Sequence, residues 1–294
     1  HDLGCSAEAH EIAHGKSDPA GPGAKPHLYT QNGLSWSANI ARHNIVAVSD
    51  AAQRLASVGG NEWHGTANAA KATIHQTLVT RVVRYGCDTK FYRPSNIIDR
   101  GLVAYVGRPP PHKGIAHAIA LAKARSDLRF VFAWRADMND HALYGREYEA
   151  LARAVSNIEI ATLPEDRVAH HDAKRDLMAR AGVFLHPAVY VEACSRAVIE
   201  AQACGAPVVC FDRGGNSELV RHNSTGIVIP LSPKYPDVPE GALVEALSDG
   251  IDRAVGLSRG FIRHRAEEIF SRERMAADYV TLYKELVGGG RWGT

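Results

Sequence analysis

From Gly101 onward, short apolar runs alternate with longer segments in which apolar residues recur at helical spacing. The run GLVAYVG (101–107) precedes the segment IAHAIALAKAR (115–125), which predicts a strand followed by a helix. The same pattern repeats four more times. It predicts strands at 128–134, 158–163, 183–187 and 207–211, each followed by a helix, at 148–156, 173–181, 196–205 and 216–222. A last strand is predicted at 226–230. Such regular alternation predicts an α/β fold: a parallel sheet, helices on both faces and right-handed crossovers.

The pattern outside this region is less regular. Residues 15–35 are rich in Gly, Pro and polar side chains and predict a long loop. After it, 44–50 and 82–86 are typical of short strands and 51–59 of a helix, so the first hundred residues indicate a partial α/β layer. Near the end, 261–287 has the amphipathic pattern of one long helix that packs across a domain boundary.

Composition narrows the functional classes. The chain has 294 residues, 45% hydrophobic and 22% charged, which is typical of one large or two modest globular domains. A formal net charge of +2 and no Lys/Arg block argue against a nucleic-acid partner. Five cysteines without a CxxC pair disfavour a disulfide framework and a structural zinc site, and fit a cytoplasmic location. No apolar run approaches the roughly 20 residues of a membrane span, although peripheral membrane contact stays open.

Ligands of open α/β sheets bind beyond the carboxyl ends of the strands, so the loops after the strands carry the candidate chemistry. The loop 107–114 (GRPPPHKG) contains two cations, Arg108 and Lys113, just before a helix start that itself attracts anions. This arrangement indicates a clamp for a diphosphate. Two solvated surface charges are the alternative that these residues alone leave open.

The segment 189–200 (VYVEACSRAVIE) carries two carboxylates around a helix start. Ser195 is the expected N-cap and Arg196 the first helical residue, which places Glu192 in the loop and Glu200 in the second turn. Carboxylates accept hydrogen bonds from hydroxyls, so this pair suits a phosphate flanked by polyols, as in a nucleotide sugar. Glu192 could also be an exposed loop charge, whereas Glu200 lies in an apolar helix where a buried carboxylate requires a partner.

Two further loops give weaker signals. Gly214 and Gly215 begin a helix and would let the backbone approach a ligand closely, although an ordinary strand-to-helix turn has the same pattern. Asp137 and Asp140 follow another strand, but divalent metal sites usually recruit more oxygen ligands, so we predict no metal site.

Taken together, the motifs resemble the family 4 retaining glycosyltransferases of GT-B fold, within the glycosyl transferases group 1. The resemblance rests on the order and spacing of Val106-Gly107-Arg108 with Lys113-Gly114, Glu192 and seven residues later Glu200-Ala201, 203–209 (ACGAPVV), Gly214-Gly215 with Glu218, and Thr225-Gly226. Upstream, 47–49 and 85–94 resemble the end of the family's first domain and its hinge, and His1 is similar to an acceptor-side histidine.

The resemblance implies two Rossmann-like domains with a cleft between them. Residues 1–97 would form an N-terminal, acceptor-side domain, shortened relative to the family and opening partway through it. Residues 98–270 would form the nucleotide-sugar-binding domain, and 271–294 a helix that packs back toward the first domain.

The resemblance also implies roles for single residues. Arg108 and Lys113 would hold the donor diphosphate and Glu192 the hydroxyls of the transferred sugar, which makes these three the catalytic set. The donor-binding set would be Glu200 on the ribose hydroxyls, the backbone at Ser195 and Arg196, and Gly214 and Gly215.

The implied activity is transfer of a sugar, with retained configuration and without a metal or other cofactor. A UDP- or GDP-sugar would be the donor, and the acceptor would be a glycan, a lipid-linked sugar or a small molecule. Two alternatives stay open: a nucleotide-sugar-binding protein with impaired catalysis, and a sugar-nucleotide epimerase of related fold.

Overall fold

The computed structural model of the chain describes residues 29–31, 45–58, 81–134, 145–231 and 237–288. His1, Asp137 and Asp140 lie outside the described residues, as does most of the predicted loop 15–35.

The larger sheet has six parallel strands in the order β6-β5-β4-β7-β8-β9. Its strands are β4 (Asp99–Val106), β5 (Arg129–Trp134), β6 (Ile158–Thr162), β7 (Ala181–His186), β8 (Val208–Phe211) and β9 (Gly226–Ile229). The helices between and after them are α2 (Ile115–Ala124), α3 (Arg146–Arg153), α4 (Arg167–Arg180), α5 (Arg196–Ala203), α6 (Asn216–Leu219) and α7 (Glu240–Ala254). The predicted α/β fold with a parallel sheet is therefore confirmed.

Both faces of this sheet are covered because its central strands are apolar throughout. All six residues of β7 are buried. One hydrophobic cluster includes Leu177 and Met178 of α4 with Val198 of α5, and the other includes residues of α2 and α7. Burial on both faces explains why the strands read as continuous apolar runs rather than as alternating ones.

The strand order reverses between β4 and β7. From β4 the chain builds outward through β5 and β6 on one side, then returns to add β7, β8 and β9 on the other. This is the order of a doubly wound Rossmann-like sheet, in which the crevice at the reversal binds the ligand. The loops that follow β4 and β7 are the ones that meet at this crevice.

A smaller parallel sheet lies near the start of the chain, in the order β1-β2-β3. Its strands are β1 (Tyr29–Gln31), β2 (Ile45–Ala47) and β3 (Arg81–Val82), and α1 (Asp50–Val58) follows β2. β1 lies inside the segment predicted to be a loop, so that prediction is wrong for these three residues. The strand is defined by its pairing with β2, a distant contact that local sequence does not reveal.

The predicted long helix 261–287 is also wrong, because the structure has two helices there: α8 (Arg259–Phe270) and α9 (Arg272–Val287). Ser271 between them is extended, with φ −68° and ψ 146°. The residues on either side of Ser271 form backbone hydrogen bonds with Cys87. The Cys87 amide donates to Phe270 O (2.8 Å), and the Arg272 amide donates to Cys87 O (3.0 Å). This tertiary pairing breaks the helix and ties it to the segment after β3.

Candidate functional site

The loops after β4 and β7 are held together by backbone contacts. The Val189 amide donates to His112 O at 3.0 Å. Gly114 has a left-handed φ of 77°, and a Cβ there would lie 1.9 Å from Pro187 O, so only glycine allows this approach. The cation-bearing loop and the carboxylate-bearing loop therefore meet at the strand-order reversal.

Lys113 and Glu192 form an ion pair at this junction. Lys113 Nζ lies 3.2 Å from Glu192 Oε2, with the two side chains 19% and 12% exposed. Glu192 is thus half-buried rather than the freely exposed loop charge that the sequence left open. The structure brings together two of the three residues predicted to be catalytic.

Tyr190 joins the pair on one side. Its hydroxyl donates to Glu192 Oε2 and accepts from Lys113 Nζ, which also lies 4.3 Å from the centre of the phenol ring. Burial, and then the neighbouring charge of Glu192, raise the pKa of Tyr190, so the phenol stays protonated at neutral pH. Tyr190 thereby holds the cation and the carboxylate in one arrangement.

His186 approaches the pair from the end of β7. Burial alone would raise the pKa of the Glu192 carboxyl, but Lys113, His186 and the Tyr190 hydroxyl outweigh it and hold that pKa below its usual value. His186 Nε2 lies 3.8 Å from Glu192 Oε2, and burial lowers the pKa of His186 to about 4. At neutral pH the site therefore contains an ionised carboxylate beside a neutral imidazole.

Arg108 is exposed on the same loop as Lys113. Its carbonyl accepts from the Tyr105 hydroxyl at 2.9 Å, which anchors the backbone of the loop at this position. Its positive charge acts to lower the pKa of Tyr190, against the larger effects of burial and Glu192, so it lies within electrostatic range of the cluster.

The glycine pair after β8 contacts Glu192 itself. Gly214 has a φ of 62° and forms a parallel bridge with Glu192, and a Cβ there would lie 2.2 Å from Glu192 O. The Gly215 amide donates to the same carbonyl at 2.7 Å. The close approach expected for a ligand is here made by the backbone of Glu192, so the pair positions that carboxylate.

Helix α5 begins as predicted. Ser195 is its N-cap, with the Val198 amide donating to the hydroxyl at 3.5 Å, and Arg196 is the exposed first helical residue. The start of this eight-residue helix carries a partial positive charge and first-turn amides that point along the helix axis, one of which is capped by Ser195.

Glu200 lies apart from the Lys113–Glu192 pair, in a second buried cluster. Its Oε2 is 2.9 Å from Lys174 Nζ of α4, with side chains 9% and 10% exposed. Among the described residues no hydrogen bond of good geometry reaches that oxygen, so the contact is an ion pair. Lys174 Nζ also lies 5.5 Å from the ring centre of Tyr92, whose hydroxyl is 2.7 Å from His171 Nδ1. The buried carboxylate thus has the partner that its apolar helix required.

Several residues of these clusters were not predicted, among them His186, Tyr190 and Lys174. His186 ends an apolar strand and Tyr190 follows in its loop, so their place after a strand at the sheet reversal was a usable signal. Lys174 offered another signal, because it lies three and four residues before the buried Leu177 and Met178, on the core-facing side of α4.

Two absences concern only the ranges that the structure describes. No group of three or more His, Cys, Asp or Glu there is placed to hold a metal ion. Nor does that part of the chain contain a helix long and apolar enough to cross a membrane.

The profile of the family described as Glycosyl transferases group 1 matches residues 88–254, more than half of the chain. The chain belongs to this family. The matched range contains both loops of the crevice, the glycine pair and the Lys174–Glu200 cluster.

Curated relatives and solved structures agree with this membership. The chain is 27% identical over 224 residues to an alpha-maltose-1-phosphate synthase of Mycolicibacterium smegmatis, covering 70% of this chain and 56% of the relative. It is 31% identical over 209 residues to a D-inositol 3-phosphate glycosyltransferase of Salinispora tropica, covering 68% and 41%. The chain therefore spans about half the length of the curated relatives it matches.

Among solved structures, a glycosyltransferase involved in avilamycin A biosynthesis matches with a TM-score of 0.65 at 23% identity, covering 95% of this chain and 73% of that one. The predicted GT-B fold with Rossmann-like domains is thereby confirmed.

Proposed function

We propose that this chain transfers a sugar from a nucleotide-diphosphate sugar to an acceptor, with retention of configuration and without a metal ion. The observation that carries the proposal is the Lys113–Glu192 pair at the strand-order reversal, joined by Tyr190 and His186. An Anabaena relative of the same fold, HepE, was solved in complex with UDP and glucose (TM-score 0.64, 18% identity, covering 89% of this chain and 72% of that one), which supports a nucleotide sugar as donor.

Different residues bind the diphosphate, the transferred sugar and the ribose of the donor. Arg108, Lys113 and the start of α5 offset the negative charge that grows on the leaving diphosphate, the contribution expected of preorganised donors. Glu192, ionised and fixed by its neighbours, accepts hydrogen bonds from hydroxyls of the transferred sugar. Glu200, held by Lys174, accepts from the ribose hydroxyls. Two cations and a helix start supply the charge that a divalent ion would otherwise provide, which supports metal-independent transfer.

The test is transfer and hydrolysis of labelled UDP-, GDP- and ADP-sugars by the purified protein. We expect Lys113→Ala to lower kcat/KM roughly 100-fold, the usual loss for one donor at a developing charge. The matched control is Lys123→Ala, at an exposed lysine of α2 that lies outside the candidate site. The anomer of the product, read by NMR, tests retention, and addition of EDTA tests metal independence.

The same assays separate the alternatives. Binding of a nucleotide sugar without turnover would indicate a binding protein with impaired catalysis. A changed sugar nucleotide in the absence of any acceptor would indicate an epimerase. If no nucleotide sugar bound at all, the proposed function would be wrong.

A further inference from the structure

His186 is a buried polar residue whose ring is not fully hydrogen-bonded by the residues that the structure describes. It ends β7, its side chain is 8% exposed, and its Nε2 has no hydrogen-bond partner among the described residues. A buried donor or acceptor without a partner is costly, so such an atom in a native site calls for a further partner.

The surroundings of Nε2 define what that partner must be. Glu192 Oε2 lies 3.8 Å away, which is beyond hydrogen-bond distance. An oxygen about 2.8 Å from both atoms would lie to one side of the line that joins them, and it could hydrogen-bond to both. It would have to donate to the carboxylate and accept from the imidazole N–H, and a hydroxyl does both.

We propose that His186 Nε2–H donates to a hydroxyl of the transferred sugar, the hydroxyl that donates in turn to Glu192. This inference rests on the function proposed above and adds a specificity-determining residue to it. A nucleoside diphosphate lacks the transferred sugar and therefore lacks this hydroxyl. His186 thus contributes to binding of the nucleotide sugar and not to binding of the nucleotide alone. Polar sites built in this way discriminate strongly against analogues that lack the hydroxyl.

The test compares Kd for UDP-glucose and UDP, or for GDP-mannose and GDP if the protein prefers guanine, by calorimetry. His186→Leu removes the ring nitrogens at similar bulk, and we expect it to weaken binding of the nucleotide sugar about tenfold while the nucleotide changes less than about twofold. His186→Gln carries an amide N–H to nearly the same place and should recover most of the loss. His186→Asn is one bond shorter and should not.

The outcomes are distinct. If UDP and UDP-glucose weaken together, or neither changes, His186 does not contact the sugar and a water or nothing occupies the gap. If the leucine variant does not fold, the comparison of Gln with Asn decides, because equal affinities in these two would overturn the inference. If the unmodified protein binds no UDP-, GDP- or ADP-sugar, the proposed function fails as well, which is a different result.

Discussion

At the scale of single residues, the site is a set of groups whose charges are fixed by their neighbours. Glu192 is ionised because Lys113 and Tyr190 outweigh its burial, and His186 is neutral because it is buried. Each protonation state suits the hydrogen bond proposed for it: a carboxylate that accepts and an imidazole that donates.

The buried imidazole predicts a pH dependence of stability. The pKa of His186 is about 4 in the folded protein against an ordinary 6.5, so the unfolded chain binds its proton more readily. Stability from this residue is present above pH 6.5 and is lost as pH falls from 6.5 toward 4. The loss is about 3 kcal/mol at 1.36 kcal/mol per pH unit.

Urea denaturation of the wild type and His186→Gln at pH 7.0, 5.5 and 4.5 measures this loss. Glu192 and Lys113, the charged groups facing the ring, are retained in both proteins, so the difference between the two curves reports the imidazole together with its effect on the pKa of Glu192. We expect the stability of the wild type relative to His186→Gln to fall by about 3 kcal/mol as pH falls from 6.5 toward 4, and to stay constant above pH 6.5. Parallel curves over this range would contradict the prediction.

At the scale of elements, the strands and helices between 101 and 230 could be predicted closely from the sequence. The strands of the larger sheet are covered on both faces, so each of them appears in the sequence as a continuous apolar run. Helix α4 begins at Arg167 rather than 173, since Asp166 caps it through the Ala169 amide at 2.8 Å and a polar first turn hides the helical period. The break at Ser271 and the short strand β1 depend on distant pairing, which no local pattern contains.

The candidate site was predictable to a similar extent. The loops with Lys113 and Glu192 could be predicted because the carboxyl ends of parallel strands lie at one edge of the sheet. Ser195 could be predicted as an N-cap because its side chain can accept a hydrogen bond from a first-turn amide. Which residue would pair with which was not predictable. Lys174 became the partner of Glu200 only through the packing of α4 on α5.

The packing of α4 on α5 leads to a second prediction, which concerns the buried Lys174–Glu200 pair. Lys174→Met would leave the Glu200 carboxylate buried without its cation, and such uncompensated charges cost about 3–5 kcal/mol of stability. The double variant Lys174→Met with Glu200→Gln removes both charges and should recover most of the loss. The free energy of unfolding in urea is the measurement.

Arg129→Met is the matched control, because it breaks ion pairs with Asp99 and Glu159 at a side chain that is 48% exposed. Exposed pairs contribute about 0–1 kcal/mol, so this variant should change stability little. A Lys174→Met variant as stable as the control would mean that the buried pair is not needed to compensate Glu200.

At the scale of the whole molecule, the two sheets are joined through a few directed contacts. Arg274 of α9 donates to Arg84 O at 2.6 Å, and Arg263 of α8 donates to Thr89 O at 2.6 Å. The segment after β3 is therefore fastened to the last two helices. This is the arrangement expected if 271–294 packs back toward the first domain, a boundary that stays a prediction.

Glu218 provides the most direct connection and the last prediction. Its carboxylate, 12% exposed, accepts from the Asp50 amide at 2.8 Å and the Ala51 amide at 2.6 Å, so a residue after β8 caps the start of α1. Arg84 lies 3.2 Å from the same carboxylate. An acceptor at a helix start contributes about 0.5–2 kcal/mol, and its negative charge adds to this through the helix dipole.

Glu218→Gln replaces one acceptor oxygen by an amide that faces two N–H donors and removes the charge that pairs with Arg84. We expect amide hydrogen exchange at residues 50–54 to rise about tenfold, the equivalent of 1.4 kcal/mol, while exchange in β4 to β9 stays unchanged. Glu245→Gln, at an exposed position of α7, should change neither. Unchanged exchange at 50–54 would mean that α1 is held by other contacts, and a uniform rise across both sheets would mean that Glu218 stabilises the molecule as a whole rather than the junction between its two sheets.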